Sequence, residues 1–150
     1  MKEKKASAEW YIAATHWLTA GFAIPFVLTL VLSVPLIVLL SKYGNSNYLV
    51  GTVVALINIL GIWLGVIYSS KYLDKTYIIK DANKIINLAT LYLAVIGGGF
   101  RVYNIIHTGI FPYTDLGFLV GLVIFYMVSK KYVKNNYVSA PQPQSQVPVV

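Results

Sequence analysis

From Leu18 to Leu40 the chain carries no charged side chain, and the same holds from Tyr48 to Ser70. A helix needs about 20 apolar residues to cross the roughly 30 Å hydrocarbon core of a bilayer, so each stretch is long enough to span it. Backbone amides in hydrocarbon find no water, and a single run of this length satisfies them only as an α-helix. Two further stretches, 85–108 and 116–133, follow. The third holds Arg101; the fourth ends around Lys130 and Lys131, whose aliphatic stems can lie in lipid while the ammonium groups reach headgroup depth. The sequence predicts an all-α, polytopic membrane protein: an antiparallel four-transmembrane-helix bundle with spans at 18–40, 48–70, 85–108 and 116–133. Residues 1–17 read as a cytoplasmic or interfacial N-terminal segment. Residues 134–150 read as a disordered cytoplasmic tail, because their Pro- and Gln-rich pattern builds no core.

Composition closes off the alternatives. Only 11% of the residues are charged, against about 25% in soluble domains, and 57% are apolar. So few charges cannot coat a water-soluble globule, and such high hydrophobicity is incompatible with a disordered chain. With no cysteine there is no disulfide, no thiolate metal site and no sulfur nucleophile. The first apolar run exceeds the 7–15 residues of a signal-peptide core, and no small-residue cleavage pattern follows it, so it reads as a retained anchor.

The net charge of +7 is explained by where the lysines fall. Lys2, Lys4 and Lys5 precede the first span. Lys71, Lys75, Lys80 and Lys84 lie between the second and third, and Lys130, Lys131 and Lys134 close the fourth. All lie on one side of a four-span chain, and only Lys42 falls on the other. The positive-inside rule then places the protein in the cell membrane with both termini cytoplasmic. Anionic lipid on that face is an expected partner, at about 1 kcal/mol per well-placed lysine. Nucleic acid is not, since topology already accounts for the charge. Trp10, Tyr11, Trp17, Tyr43, Tyr48, Tyr68, Tyr72, Tyr113, Tyr126 and Tyr132 cluster near the span ends, as an interfacial aromatic belt does.

Helices in lipid associate through close packing and interhelical hydrogen bonds, so small and polar residues at helical spacing mark the faces that meet. In the third span Thr90, Ala94, Gly97, Arg101, Asn104 and Thr108 step by three and four along one face. In the second, Gly51, Ala55, Asn58, Gly61, Gly65 and Ser69 do the same. GxxxG pairs stand at Gly61/Gly65 and Gly117/Gly121, and Gly61, Gly65, Gly97, Gly117 and Gly121 are predicted helix-packing positions. Pro25 and Pro35 bend the first span. Residues 61–77 and 121–137 align without gaps at Gly61/Gly121, Ser69/Ser129, Lys71/Lys131, Tyr72/Tyr132 and Tyr77/Tyr137, a faint sign of two related hairpins.

Arg101 is the sharpest candidate for function. It lies about 10 Å from the Thr108 end of its span, counted at 1.5 Å per residue. Two readings are open. Arg101 either snorkels to lipid phosphates or pairs with Asp115 at the start of span four, or it joins Asn104, Asn58 and His107 in a cavity that draws an anionic headgroup or solute. Glu9 and His16, seven residues apart, share a helical face. No Asp or Glu falls inside a span, so a proton- or cation-coupled carrier lacks its intramembrane carboxylate. Metalloprotease, phosphate-loop and serine-hydrolase motifs are absent, so no catalytic residue, metal or cofactor is predicted. The chain reads first as a non-catalytic accessory, assembly or scaffold subunit whose small-residue faces bind its own copies or another membrane protein. The alternative is a small oligomeric transporter or lipid/anion-handling protein built on the Arg101/Asn104/Asn58 face.

Overall fold

The computed structural model describes residues 4–41, 47–109 and 114–137. They form four helical rods. The first comprises α1 (Glu9–Trp17), a π-helical turn (Leu18–Ala23) and α2 (Ile24–Ser41), and the second is α3 (Asn47–Thr76). The third comprises α4 (Ala82–Tyr92), a second π-helical turn (Leu93–Gly97) and α5 (Gly98–Thr108), and the fourth is α6 (Thr114–Tyr132). Segments 9–36, 49–76 and 82–108 are long and apolar enough to cross a membrane. The 19 residues of α6 reach about 28 Å at 1.5 Å each. Links of a few residues cannot carry the chain back across, so successive rods run antiparallel. The chain is an integral membrane protein with a four-helix architecture.

Three boundaries differ from the hydropathy reading. The first helix begins at Glu9, because Ile12, Ala13 and His16 already pack inward there and no breaker interrupts them. The second runs on to Thr76, past the end of the uncharged stretch. The third starts at Ala82, where the Asp81 carboxylate accepts a hydrogen bond from the Lys84 amide at 3.0 Å, a side-chain cap on an otherwise unsatisfied donor. That helix ends at Gly109, whose φ of +67° is the left-handed conformation glycine adopts without penalty.

Each π turn has a local cause. Ile24 donates its amide to Thr19, five residues back, immediately before Pro25. Proline has no amide hydrogen and its ring crowds the preceding turn, so a wider turn relieves both. The second π turn runs into Gly97-Gly98-Gly99, a stretch with no side chains to hold the α-helical register.

The core sits toward the end of the bundle that holds the described chain ends. Ile12, Ala13, Val66, Leu73, Ile85, Ile86, Ala89 and Phe125 are buried there. Two glycines permit the closest crossings. A methyl group on Gly61 would lie 2.6 Å from the Pro25 Cα, and one on Gly65 would lie 2.9 Å from the Ala20 carbonyl oxygen. Beyond the π turns the packing loosens, and α5 has no buried residue at all. Val31, Phe100, Ile106 and Met127 are exposed, as lipid-facing side chains are.

Below α4 three strands of chain are clasped together. The Lys5 amide donates to the Thr76 carbonyl at 2.8 Å and the Ile78 amide to the Lys5 carbonyl at 3.0 Å. Asn136 binds the same link. Its Oδ1 accepts from the Ile79 amide at 2.7 Å, its own amide donates to the Ile79 carbonyl, and Nδ2 donates to Asp74 Oδ1 and to the Tyr77 carbonyl. Asn135 Oδ1 accepts from the Ala82 amide at 2.7 Å. Residues 134–137, which by composition begin the tail, are thus held by the 74–82 link, because two adjacent asparagines satisfy backbone groups that the link leaves open. The Lys42 turn, residues 110–113, the Asp115 side chain and the tail beyond Tyr137 lie outside the described residues.

Candidate functional site

Above the π turns, the first and third rods part and leave a cleft of about 470 Å³. Pro25 and Thr29 line it from α2, Asn58 and Ile62 from α3, Leu93, Gly97 and Arg101 from the third rod, and Phe118 from α6. Both π turns border it: Gly21 and Phe22 on one side, Leu93 and Ile96 on the other. π turns recur at functional positions because they re-aim the side chains that follow them. The cleft floor is where the rods meet again. A methyl group on Gly21 would lie 3.3 Å from Leu93 Cδ1, and the Trp17 and Tyr92 rings pack edge to face at 6.2 Å. At the mouth, Phe22, Phe26, Ile96 and Phe100 are exposed to the surroundings of the bundle, so the cleft opens sideways into lipid.

Arg101 is fixed on the wall of this cleft. Its guanidinium carbon lies 4.0 Å from the centre of the Phe118 ring, a cation–π contact, and Nη1 donates to the Gly97 carbonyl at 3.1 Å. Gly97 makes room for Phe118, since a methyl there would stand 2.9 Å from the ring. Thr29 Oγ1 is buried and has no hydrogen-bond partner among the described residues. Leaving a buried hydroxyl unpaired costs about 1–3 kcal/mol, a polar defect just behind the cleft wall. Arg101 is the one charged side chain among the described cleft-lining residues.

The structure brings Arg101 and Asn58 to one cleft and leaves Asn104 out. Asn104 is exposed on α5, and His107 is exposed and stacked on Tyr103 with centroids 5.4 Å apart. The face read from small and polar residues therefore breaks up. Ile85, Ile86, Ala89 and Leu93 take the inward positions of the third rod, Thr90 and Ala94 are half-buried, and the π turn shifts the phase beyond them. The five glycines predicted to pack helices all abut side chains or backbone of this same chain: Gly61 on Pro25, Gly65 on Ala20, Gly97 on Phe118, Gly117 on Ala55 and Gly121 on Ile62.

A second polar cluster lies in the core. His16 is completely buried, with Nδ1 2.9 Å from Ser69 Oγ and Nε2 2.9 Å from Ser129 Oγ. A neutral imidazole donates through one nitrogen and accepts at the other, and rotating hydroxyls serve either arrangement. Phe125 packs on the ring at 5.3 Å. The two serines are the aligned positions of the 61–77 and 121–137 segments, so one histidine bridges two corresponding points of the second and fourth rods. Glu9 does not face His16; it pairs with Lys84 at 2.6 Å.

The residues that sequence reasoning passes over are Thr29, Phe118 and the Ser129 side of the histidine cluster. Thr29 is one hydroxyl in an apolar run, and nothing in its spacing singles it out. The Ser69/Ser129 alignment was the available signal for the cluster. Among the described residues no group of three or more His, Cys, Asp or Glu side chains is placed to hold a metal. No protein-family model, curated protein or solved structure matches the chain.

Proposed function

We propose that this integral membrane protein is a non-catalytic binding protein that takes a lipid-like solute out of the bilayer into the cleft between its first and third rods. One observation carries the reading. A laterally open, mostly apolar cleft has Arg101, Asn58 and Thr29 on its wall, and a cation is retained inside a span despite an insertion cost of roughly 2.5–3.5 kcal/mol at the centre. Asn58 lines the same cleft, and its side-chain amide carries both donors and an acceptor. The cleft also falls within the roughly 300–1,000 Å³ of small-molecule sites. The lysine distribution supports a cell-membrane orientation with both termini cytoplasmic. An accessory role built on small-residue faces draws less support, because the five glycines in question already face helices of their own chain.

Native mass spectrometry of the protein released from mild detergent tests this. The expected result is a retained or added amphiphile at one per chain, with occupancy falling in Arg101→Gln and in Asn58→Leu. A second, stoichiometric protein chain bound while the cleft stays free of amphiphile would refute the proposal in favour of the accessory role.

A further inference from the structure

The cleft is polar at one end and apolar at the other, and the sense is the same along the first, second and third rods; α6 adds only Phe118. Along the first rod its lining runs from Trp17 and Gly21 to Thr29, and Thr29 is the residue nearest the Ser41 end. Along the third rod it runs from Leu93 through Gly97 to Arg101, the residue nearest the Thr108 end. The second rod runs the other way, and there Asn58 stands nearer its Asn47 end than Ile62 does. Antiparallel rods thus bring three polar side chains to a common level, away from the end that holds the clasp of residues 5, 77 and 136. Three helices arriving independently at one polarity gradient along the membrane normal match an amphiphile lying parallel to that normal.

We infer that the ligand is a single-chain amphiphile with an anionic, acceptor-rich head, bound head-first toward the Ser41 and Thr108 ends and tail-down toward Trp17, and drawn from the leaflet opposite the clasp. This rests on the cleft being a lipid-binding site, as proposed above. The head class follows from the chemistry of the wall. Arg101 and Asn58 both carry N–H donors, and Arg101 brings a charge that does not titrate away. Charges interact far more strongly in a low-dielectric site than in water, so an anionic oxygen acid is favoured over an alcohol or ester of the same chain. The single chain follows from the shape. Trp17 against Tyr92 and Gly21 against Leu93 close the floor, and about 470 Å³ is left above it.

Trp17 sits at the tail end of this arrangement and makes a built-in depth gauge. The other two tryptophans, Trp10 and Trp63, are exposed and can be replaced by phenylalanine without touching the core. In the Trp10→Phe, Trp63→Phe protein in phosphatidylcholine nanodiscs, stearate brominated near its methyl end should saturably quench most of the Trp17 emission. Stearate brominated near the carboxylate should bind equally well and quench only a minor part. Octadecanol should compete about tenfold more weakly than stearate, a margin that vanishes in Arg101→Gln and partly returns in Arg101→Lys. Quenching strongest from the carboxylate end overturns the orientation while leaving the cleft as a lipid site. Equal competition by octadecanol overturns the anionic head, and equal competition by a two-chain phosphatidylglycerol overturns the single chain. No saturable quenching by any probe removes the binding function itself.

Discussion

Replacing Gly61 by alanine should cost the bundle about 2 kcal/mol, whereas the same exchange at Gly99 should stabilise it. A methyl on Gly61 would stand 2.6 Å from the Pro25 Cα, a backbone atom that no rotamer change can move. Carbon atoms rest about 3.5–4.0 Å apart, so the first and second rods must separate by about 1 Å at their crossing. Overpacking of this kind costs about 1–3 kcal/mol, and a rigid obstacle argues for the upper end. Alanine regains about 1 kcal/mol of helix propensity, which leaves a net loss near 2. Gly99 meets nothing within 4 Å, so only the propensity gain of up to about 1 kcal/mol remains. Gly121 lies between, because the atom 2.9 Å from its added methyl is the Ile62 Cδ1, the tip of a side chain that can turn aside. Unfolding in mixed micelles of rising sodium dodecyl sulfate fraction, followed by circular dichroism, gives the order Gly61→Ala, Gly121→Ala, wild type, Gly99→Ala from least to most stable. Equal stability of the Gly61 and Gly99 variants would refute the crossing geometry.

Two further outcomes follow from the polar contacts. His16→Ala strips the ring from between Ser69 and Ser129 and leaves two buried hydroxyls seeking partners, at about 1–3 kcal/mol for each left unsatisfied; the double variant Ser69→Ala, Ser129→Ala combined with it should recover part of that loss in the same unfolding titration. No recovery would mean that lost packing on Phe125, rather than the hydroxyls, sets the cost. Asn136→Asp keeps an acceptor for the Ile79 amide but sets a carboxylate where Nδ2 lay 2.9 Å from Asp74 Oδ1, so amide hydrogen exchange in 77–81 should accelerate at neutral pH and slow again as the carboxylates protonate in acid. Exchange indistinguishable from wild type would show that the Nδ2 contacts of Asn136 do not hold the clasp.

Membrane insertion, the number of helices and the antiparallel order are legible in the sequence because they depend on one coarse quantity, the length of uncharged apolar runs. The site is legible only in part. Arg101 announces itself as a charge inside a span, and Asn58 as an amide, but the face joining them cannot be drawn by counting threes and fours through a π turn. That extra residue turns Arg101 and Asn104 together relative to Thr90 and Ala94, and on α5 Arg101 lines the cleft while Asn104 is exposed. Thr29 and Phe118 are invisible beforehand because their roles arise from where α2 and α6 sit relative to Arg101. The Asn135–Asn136 clasp is missed for a different reason: composition assigns those residues to a tail, and the backbone groups they serve in Ala82, Ile79 and Tyr77 are 53, 57 and 59 residues away.

The placement of Ser129 and Asn136 has a consequence for biogenesis. A nascent chain that has inserted three segments already possesses His16, Ser69 and the 77–81 link, yet the imidazole has only one of its two hydroxyls and the link lacks its amide clamp. Both are supplied by Ser129 of the fourth rod and by Asn136 just after it. Docking of the fourth rod therefore completes a polar centre begun by the first two, and a chain truncated after the third rod carries a half-paired imidazole.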